Sequence, residues 1–204
     1  MPAAAHFVSV FLNLNLKIHL MDGTPSEQEL WIAFRQGEEE AYTILYKRHV
    51  KAMYRYGMSL VPVSEDFVLD CIHDVFTEIW FKRERLTTPD NVRHYLLKSL
   101  KNRILHLLKR KERPSQSLSQ DDFDDLWPEP SAEEIFLEKE SSANNEALVR
   151  KLIIQLPHRQ QEALRLRFVE NLDYGQIADM LSVNRQSAQN LVFRAVDKLR
   201  KWLL

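Results

Sequence analysis

The sequence predicts an all-α protein made of two small helical domains joined by a flexible acidic linker, with a C-terminal helix-turn-helix. Apolar residues recur at three- and four-residue spacing, the period of one helix face, as at Val68, Ile72, Val75, Phe76 and Ile79. Glycine occurs only four times among 204 residues. Valine and isoleucine rarely alternate with polar residues, so a sheet-rich fold is disfavoured.

Composition divides the chain into four parts. From Leu12 to Leu20 apolar and polar residues alternate strictly, a strand pattern within a helical sequence, and Met21 then opens a polar stretch typical of a protein start. Ser, Gln, Asp and Pro dominate residues 114–131, which is typical of a flexible linker. The predicted parts are 1–21, a disordered extension or misassigned start; 22–113, an N-terminal domain; 114–146, the acidic linker; and 147–204, a C-terminal domain.

Charge is distributed unevenly, although the formal net charge is −1. Residues 114–146 contain ten acidic residues and one lysine, a net charge of −9, so the rest of the chain carries +8. Basic surfaces bind polyanions by releasing counterions from the phosphates, and this favours a nucleic-acid partner. An ordinary solvated surface with an acidic loop is the alternative.

Several classes of protein are disfavoured by what the sequence lacks. Cys71 is the single cysteine, which fits a reducing cytosol and no disulfide framework. No apolar run approaches the roughly 18 residues of a membrane span. The chain has no phosphate-binding glycine loop and no His/Cys cluster with metal-ligand spacing. We therefore expect a cytoplasmic protein with no membrane insertion, no cofactor, no metal and no catalytic residue.

Residues 172–194 predict a helix-turn-helix. Asp173 and Gln176 have the spacing of a capping box at the start of a short helix, Tyr174–Leu181. Residues 182–184 then turn the chain, and Asn184 is placed to cap the last helix. In the helix before this motif, we expect Ala163, Leu164 and Phe168 to line the inner face, and Asn171 to close the helix.

The outward face of the last helix carries side chains that hydrogen-bond base edges or phosphates. They lie in the first turns, where a recognition helix enters the major groove. A plain helical hairpin with a polar solvent face is the alternative. The predicted residues for DNA reading are Arg185, Gln186, Gln189, Asn190 and Arg194.

Two stretches resemble the extracytoplasmic-function (ECF) group of bacterial sigma factors. Residues 70–80 (DCIHDVFTEIW) are similar to the acidic-aromatic motif of the family's first domain. Residues 156–168 (LPHRQQEALRLRF), continuing through 174–178 (YGQIA) to Arg194, are similar to its C-terminal domain. The resemblance spans roughly residues 27–204. It implies a non-enzymatic sigma factor that binds core RNA polymerase, directs it to promoter DNA and helps to melt that DNA.

The resemblance also implies roles for particular residues. One face of the helix over Val68–Ile79 would dock on the polymerase through Asp70, His73, Asp74 and Thr77, although on spacing alone a solvated acidic face is the alternative. The next helix and the loop before it, about 82–91, would open the start-proximal promoter element and capture a flipped base. The residues for that element are Arg93, Tyr95, Lys98, Lys101, Asn102 and Arg103.

The sequence does not decide the captured bases, the role of the linker or every partner. The family usually has tryptophan where Tyr95 stands and a more polar residue where His106 stands, so the identity of the captured bases is undetermined. The acidic linker either threads into the polymerase cleft, as in the family, or is a spacer. An anti-sigma factor is a candidate partner whose existence the sequence does not decide. The alternative functions are a conventional helix-turn-helix regulator and, less favoured, a nucleic-acid-processing enzyme.

Overall fold

The computed structural model describes residues 25–112 and 151–203, and all regular structure in those two ranges is helical. The predicted all-α fold is confirmed there. The predicted extension and acidic linker lie outside the described residues, and the domain boundaries stay predictions. The helices are α1 (Glu27–Arg35), α2 (Glu39–Leu60), α3 (Glu65–Lys82), α4 (Val92–Glu112), α5 (His158–Leu164), α6 (Tyr174–Leu181) and α7 (Arg185–Leu203). A 3₁₀ turn, Arg83–Arg85, follows α3, and a π-helical segment, Arg165–Val169, follows α5.

Local sequence signals set the beginnings of the N-terminal helices. Ser26 caps α1 in a capping box: its hydroxyl accepts from the Glu29 amide at 3.2 Å, and the Glu29 carboxylate accepts from the Ser26 amide at 2.8 Å. Gly37 has a φ of +93°, which glycine adopts without a side-chain clash, so the chain reverses between α1 and α2. The Ser64 hydroxyl caps α3 by accepting from the Phe67 amide at 3.3 Å.

The N-terminal helices enclose an aromatic and aliphatic core. Helix α2 lies at the centre, packed against α1, α3 and α4. Trp31, Phe34 and Tyr56 are fully buried in it. The predicted apolar face of α3 is buried as expected, and each such side chain contributes about 1.5–3 kcal/mol by leaving water. That face comprises Val68, Ile72, Val75, Phe76 and Ile79.

Helices α2 and α3 approach so closely that only glycine fits at one position. A Cβ added to Gly57 would lie 2.6 Å from Cγ1 of Val68. We expect Gly57→Ala to destabilise the protein by about 1–3 kcal/mol through overpacking, measured as a lower midpoint in urea unfolding. Adding Val68→Ala creates space at the same contact. The double variant should therefore lose less stability than the two single losses combined, and strict additivity would contradict this account.

The C-terminal helices form the predicted helix-turn-helix. Oδ1 of Asp173 accepts from the amides of Gly175 at 2.7 Å and Gln176 at 2.9 Å, and Oε1 of Gln176 accepts from the Asp173 amide at 3.1 Å. Ser182 turns the chain in the left-handed region at φ 50°. Oδ1 of Asn184 then accepts from the Ser187 amide at 2.7 Å and caps α7. Both predicted caps are confirmed, and the face of α7 that packs inward has Ala188, Val192 and Ala195 buried.

One predicted core residue of this region lies at the surface. Phe168 is 67% exposed, whereas Leu166 is fully buried. The cause is the π-helical segment, in which the Glu170 amide donates to the carbonyl of Arg165, five residues back, at 3.0 Å. The longer turn shifts the helical register, so Leu166 points inward and Phe168 outward. Asn171 then closes the segment with a φ of 55°, as predicted.

Candidate nucleic-acid and polymerase interfaces

Helix α7 presents the predicted DNA-reading residues together on its outer face. Arg185, Gln186, Asn190 and Arg194 are exposed, and Gln189 is half-buried between them and the packed face. Nε2 of Gln186 donates to Oδ1 of Asn190 at 3.4 Å. The first acidic residue of the helix is Asp197, in its fourth turn. The first turns therefore offer arginine and amide groups to a polyanion without an opposing carboxylate on the helix, and contact with DNA stays a prediction.

Helix α3 carries the predicted polymerase-docking residues, but two of them already have partners within the chain: Nε2 of His73 lies 3.2 Å from Oη of Tyr46, and Asp74 is paired with a cation of α4. Asp70, His73 and Thr77 are exposed. Oδ2 of Asp74, however, accepts from Nε and a terminal nitrogen of Arg103 on α4, at 3.0 and 2.7 Å. The sequence assigned Asp74 to the polymerase and Arg103 to DNA, and the structure brings these two side chains together.

Helix α4 carries the residues predicted for the start-proximal element, and three of its cations face the C-terminal helices. Nζ of Lys98 lies 2.6 Å from Oδ1 of Asp179. Nζ of Lys101 lies 2.9 Å from Oε1 of Glu162. A terminal nitrogen of Arg93 lies 3.6 Å from Oε2 of Glu170. Of the remaining predicted residues, Asn102 is exposed, and Tyr95 packs edge-on against Trp31 with 5.3 Å between ring centroids.

The loop before α4 is held at both ends. Nε1 of Trp31 donates to the carbonyl of Thr87 at 3.1 Å, and Oδ1 of Asn91 caps α4 by accepting from the His94 amide at 3.0 Å. Nδ2 of Asn91 also donates to Oε1 of Gln176 on α6 at 3.4 Å. An open cavity of about 330 Å³ lies between this loop, α4 and α6. Polar side chains from the two sets of helices, among them His94, Lys98 and Asp179, contribute to the lining.

A buried polar network joins α2, α4 and α5. Oη of Tyr56 donates to Oε1 of Glu162 at 2.8 Å, and Nζ of Lys101 donates to the same oxygen and to the carbonyl of Met180 at 3.0 Å. Burial, with the Glu162 carboxylate beside it, raises the pKa of Tyr56 well above its usual value. Lys101 is only 4% exposed, so its charge is neutralised inside the protein by Glu162.

Glu170 is a second buried carboxylate between the two sets of helices. Neither of its oxygens has a hydrogen-bond partner among the described residues. Burial raises the pKa of Glu170, and the nearby guanidinium groups of Arg93, Arg55 and Arg165 oppose that rise. Sequence reasoning missed Glu162, Glu170 and Asp179 as a group. No local pattern marks them, because they meet α4 only through tertiary packing.

Within residues 25–112 and 151–203, no group of His, Cys, Asp or Glu side chains is arranged to hold a metal ion. Over the same residues, no helix combines the length and apolar character needed to cross a membrane.

The helices and the face of α7 define a helix-turn-helix DNA-binding protein. Residues 146–199 match the family model described as Sigma-70, region 4. The C-terminal helices are therefore a sigma-70 region 4 domain. This match confirms the predicted C-terminal helix-turn-helix. No curated protein sequence matches the chain significantly.

Two solved structures share the fold. CnrH, in complex with the cytosolic domain of CnrY, is 18% identical with a TM-score of 0.57, and the match covers 87% of this chain and 96% of CnrH. The sigma factor RpoE from Bartonella quintana, in complex with the anti-sigma factor NepR, is 19% identical with a TM-score of 0.54. That match covers 83% of this chain and 97% of RpoE. At this identity the likeness establishes a shared fold.

Proposed function

We propose that the protein is a sigma factor of the ECF group that binds core RNA polymerase, directs it to specific promoters and helps to melt the DNA there. The observation that carries the proposal is the region 4 helix-turn-helix, whose last helix displays arginine and amide groups on its outer face. Such groups read base edges in the major groove and grip the phosphates beside them.

The remaining helices supply the other two activities of the proposed function. Helix α4 carries many cations along its length, which suits binding to the phosphates of the start-proximal element. Helix α3 exposes Asp70, His73 and Thr77 for contact with core polymerase. A flipped base of the melted strand would be captured by the loop before α4, near Asn91 and Tyr95.

An anti-sigma factor is part of the same proposal as a candidate partner. The Bartonella quintana RpoE structure contains the anti-sigma factor NepR, and the CnrH structure contains the cytosolic domain of CnrY. Both proteins share the fold of this chain. A partner of this class would bind across the helices that the polymerase and the promoter otherwise contact.

Transcription reconstituted from purified components tests the function. Core polymerase from the source organism, with and without the protein, transcribes fragmented genomic DNA, and the 5′ ends of the transcripts are sequenced. We expect new start sites that share an upstream element and that require both components. Arg185→Ala with Arg194→Ala should abolish them, whereas Arg200→Ala with Lys201→Ala, an equal charge change in the last turn of α7, should not.

The two alternative functions predict different behaviour towards core polymerase and towards the DNA template. A conventional helix-turn-helix regulator would bind duplex promoter DNA alone and would not retain core polymerase in a pull-down. A nucleic-acid-processing enzyme would degrade or modify the template in a metal-dependent manner. Either result, together with no polymerase-dependent start sites, would contradict the proposed function.

A further inference from the structure

Helix α3 carries one large apolar side chain that the core does not use. Phe81, in the last turn of the helix, is 78% exposed, the highest value for any large apolar side chain within residues 25–112 and 151–203. Side chains on the opposite face of α3, such as Ile72 and Ile79, are buried. Single exposed apolar side chains are common on proteins, so the significance of Phe81 depends on where it lies.

Phe81 lies on the same stripe of α3 as the predicted polymerase-docking residues. Positions 70, 74, 77 and 81 follow the i, i+4, i+7, i+11 spacing of one helix face, and this stripe is opposite the buried face. With a rise of about 1.5 Å per residue, Phe81 lies roughly 16 Å along the helix from Asp70. The stripe therefore has an acidic end and an aromatic end. Its exposed side chains are Asp66, Asp70, His73, Thr77 and Phe81, with the half-buried Asp74 beside them.

Neighbouring helices hold the stripe along both of its long sides. On one side the ring of Tyr46 on α2 stacks against His73, with 6.3 Å between ring centroids. On the other side Arg103 on α4 donates two hydrogen bonds to Asp74. Side chains that are already fixed lose little conformational freedom when a partner binds. The stripe is therefore suited to docking against a structured protein surface.

The charges around Phe81 favour a protein over a nucleic acid as its partner. Lys82 is paired with Glu78, one turn back. The Arg83 guanidinium donates to the Trp80 carbonyl at 2.9 Å and lies 4.5 Å from the centre of the Trp80 ring. The two cations that directly follow Phe81 are therefore engaged within the chain, and the carboxylates at the other end of the stripe would repel phosphates. A protein surface with cations at one end and an apolar pocket at the other complements the stripe.

We propose that Phe81 is an apolar anchor of the polymerase interface: its ring inserts into an apolar pocket of core RNA polymerase, while the carboxylates at the other end of the stripe meet cations. The inference rests on the proposed function, because it takes core polymerase as the partner of the stripe. Aromatic side chains bury about 150–250 Å² each and are enriched at the cores of protein interfaces. Phe81 then supplies affinity, whereas the charged residues steer the encounter and select the partner.

Titration of labelled full-length protein with core polymerase tests the anchor. Phe81→Ala should raise the dissociation constant about tenfold or more, the effect typical of a residue on which an interface depends. Phe81→Leu keeps an apolar side chain and should recover most of the affinity, whereas Phe81→Asp should not. Phe168→Ala is the matched control, because Phe168 is also exposed, at 67%, and lies outside the stripe. Circular dichroism and urea unfolding of each variant should match the wild type, since Phe81 lies outside the core.

The dependence of these losses on salt separates an apolar anchor from a charged contact. Between about 0.1 M and about 0.5 M salt, the loss of polymerase affinity caused by Phe81→Ala should stay constant. The loss caused by Asp70→Asn should shrink over the same range, because salt screens the attraction between exposed charges. A Phe81→Ala loss that shrinks in the same proportion would contradict an apolar contact.

The outcomes separate this inference from the proposed function. If the wild-type protein directs promoter-specific transcription but Phe81→Ala binds core polymerase as tightly as Phe168→Ala, the anchor is wrong and the function stands. If Phe81→Ala instead weakens only the binding of the assembled holoenzyme to single-stranded DNA, Phe81 stacks on a base and the anchor is also wrong. A wild-type protein that does not bind core polymerase would overturn the proposed function and the anchor together.

Discussion

Replacing Asp70 and Asp74 with lysine is expected to weaken assembly with core RNA polymerase strongly. Close charge pairs at protein interfaces couple by roughly 1.5–7 kcal/mol, so reversing two carboxylates should raise the dissociation constant by at least tenfold. The Asp74 change has a second consequence, because it places a lysine beside Arg103, which now donates to the Asp74 carboxylate. Asp70→Lys is therefore the cleaner single variant, since Asp70 is exposed.

Titration of labelled protein with core polymerase measures this effect. Glu40→Lys serves as the matched control, because it makes the same charge change at an exposed position on α2. Helicity of each variant is checked by circular dichroism. An unchanged polymerase affinity in the Asp70→Lys, Asp74→Lys double variant would remove this face of α3 from the polymerase interface.

Two substitutions on α7 are expected to separate reading of bases from gripping of phosphates. The early residues of the helix, among them Gln189, are predicted to reach base edges, whereas Arg194 lies further along and is predicted to contact phosphate. Loss of a base contact costs about 1–3 kcal/mol and relaxes preference at one position of the upstream element. Loss of a phosphate contact weakens binding to all sequences alike. It also lowers by about one the slope of the logarithm of the binding constant against the logarithm of the salt concentration.

A randomised promoter library measures both effects. Gln189→Ala should change which promoters the holoenzyme uses, and Arg194→Ala should lower the use of all of them. Arg200→Ala is the matched control for Arg194→Ala, since it removes an exposed arginine from the last turn. Wild-type preference at every upstream position in the Gln189→Ala selection would show that this side chain reads no base. An effect of Arg194→Ala at a single position would contradict its assignment to phosphate.

Most of the helical framework follows from the sequence alone, because its signals are local. Helix caps such as Asp173 and Asn184 act on amides two or three residues away, so their effect does not depend on the rest of the fold. The apolar period of α3 fixes which face turns inward, and its members are buried as predicted. The exposed face of α7 is predicted in the same way, since the outer face is what remains once the buried face is known.

Tertiary structure alone decided three other features. The π-helical segment places Phe168 at the surface, and no local sequence pattern predicts that this turn contains an extra residue. The pairing of Asp74 with Arg103 depends on how α3 and α4 pack. The carboxylates that meet α4, such as Asp179, come from helices about 60 to 80 residues further along the chain. Spacing within one helix predicts which residues share a face, but only packing between helices determines what that face contacts.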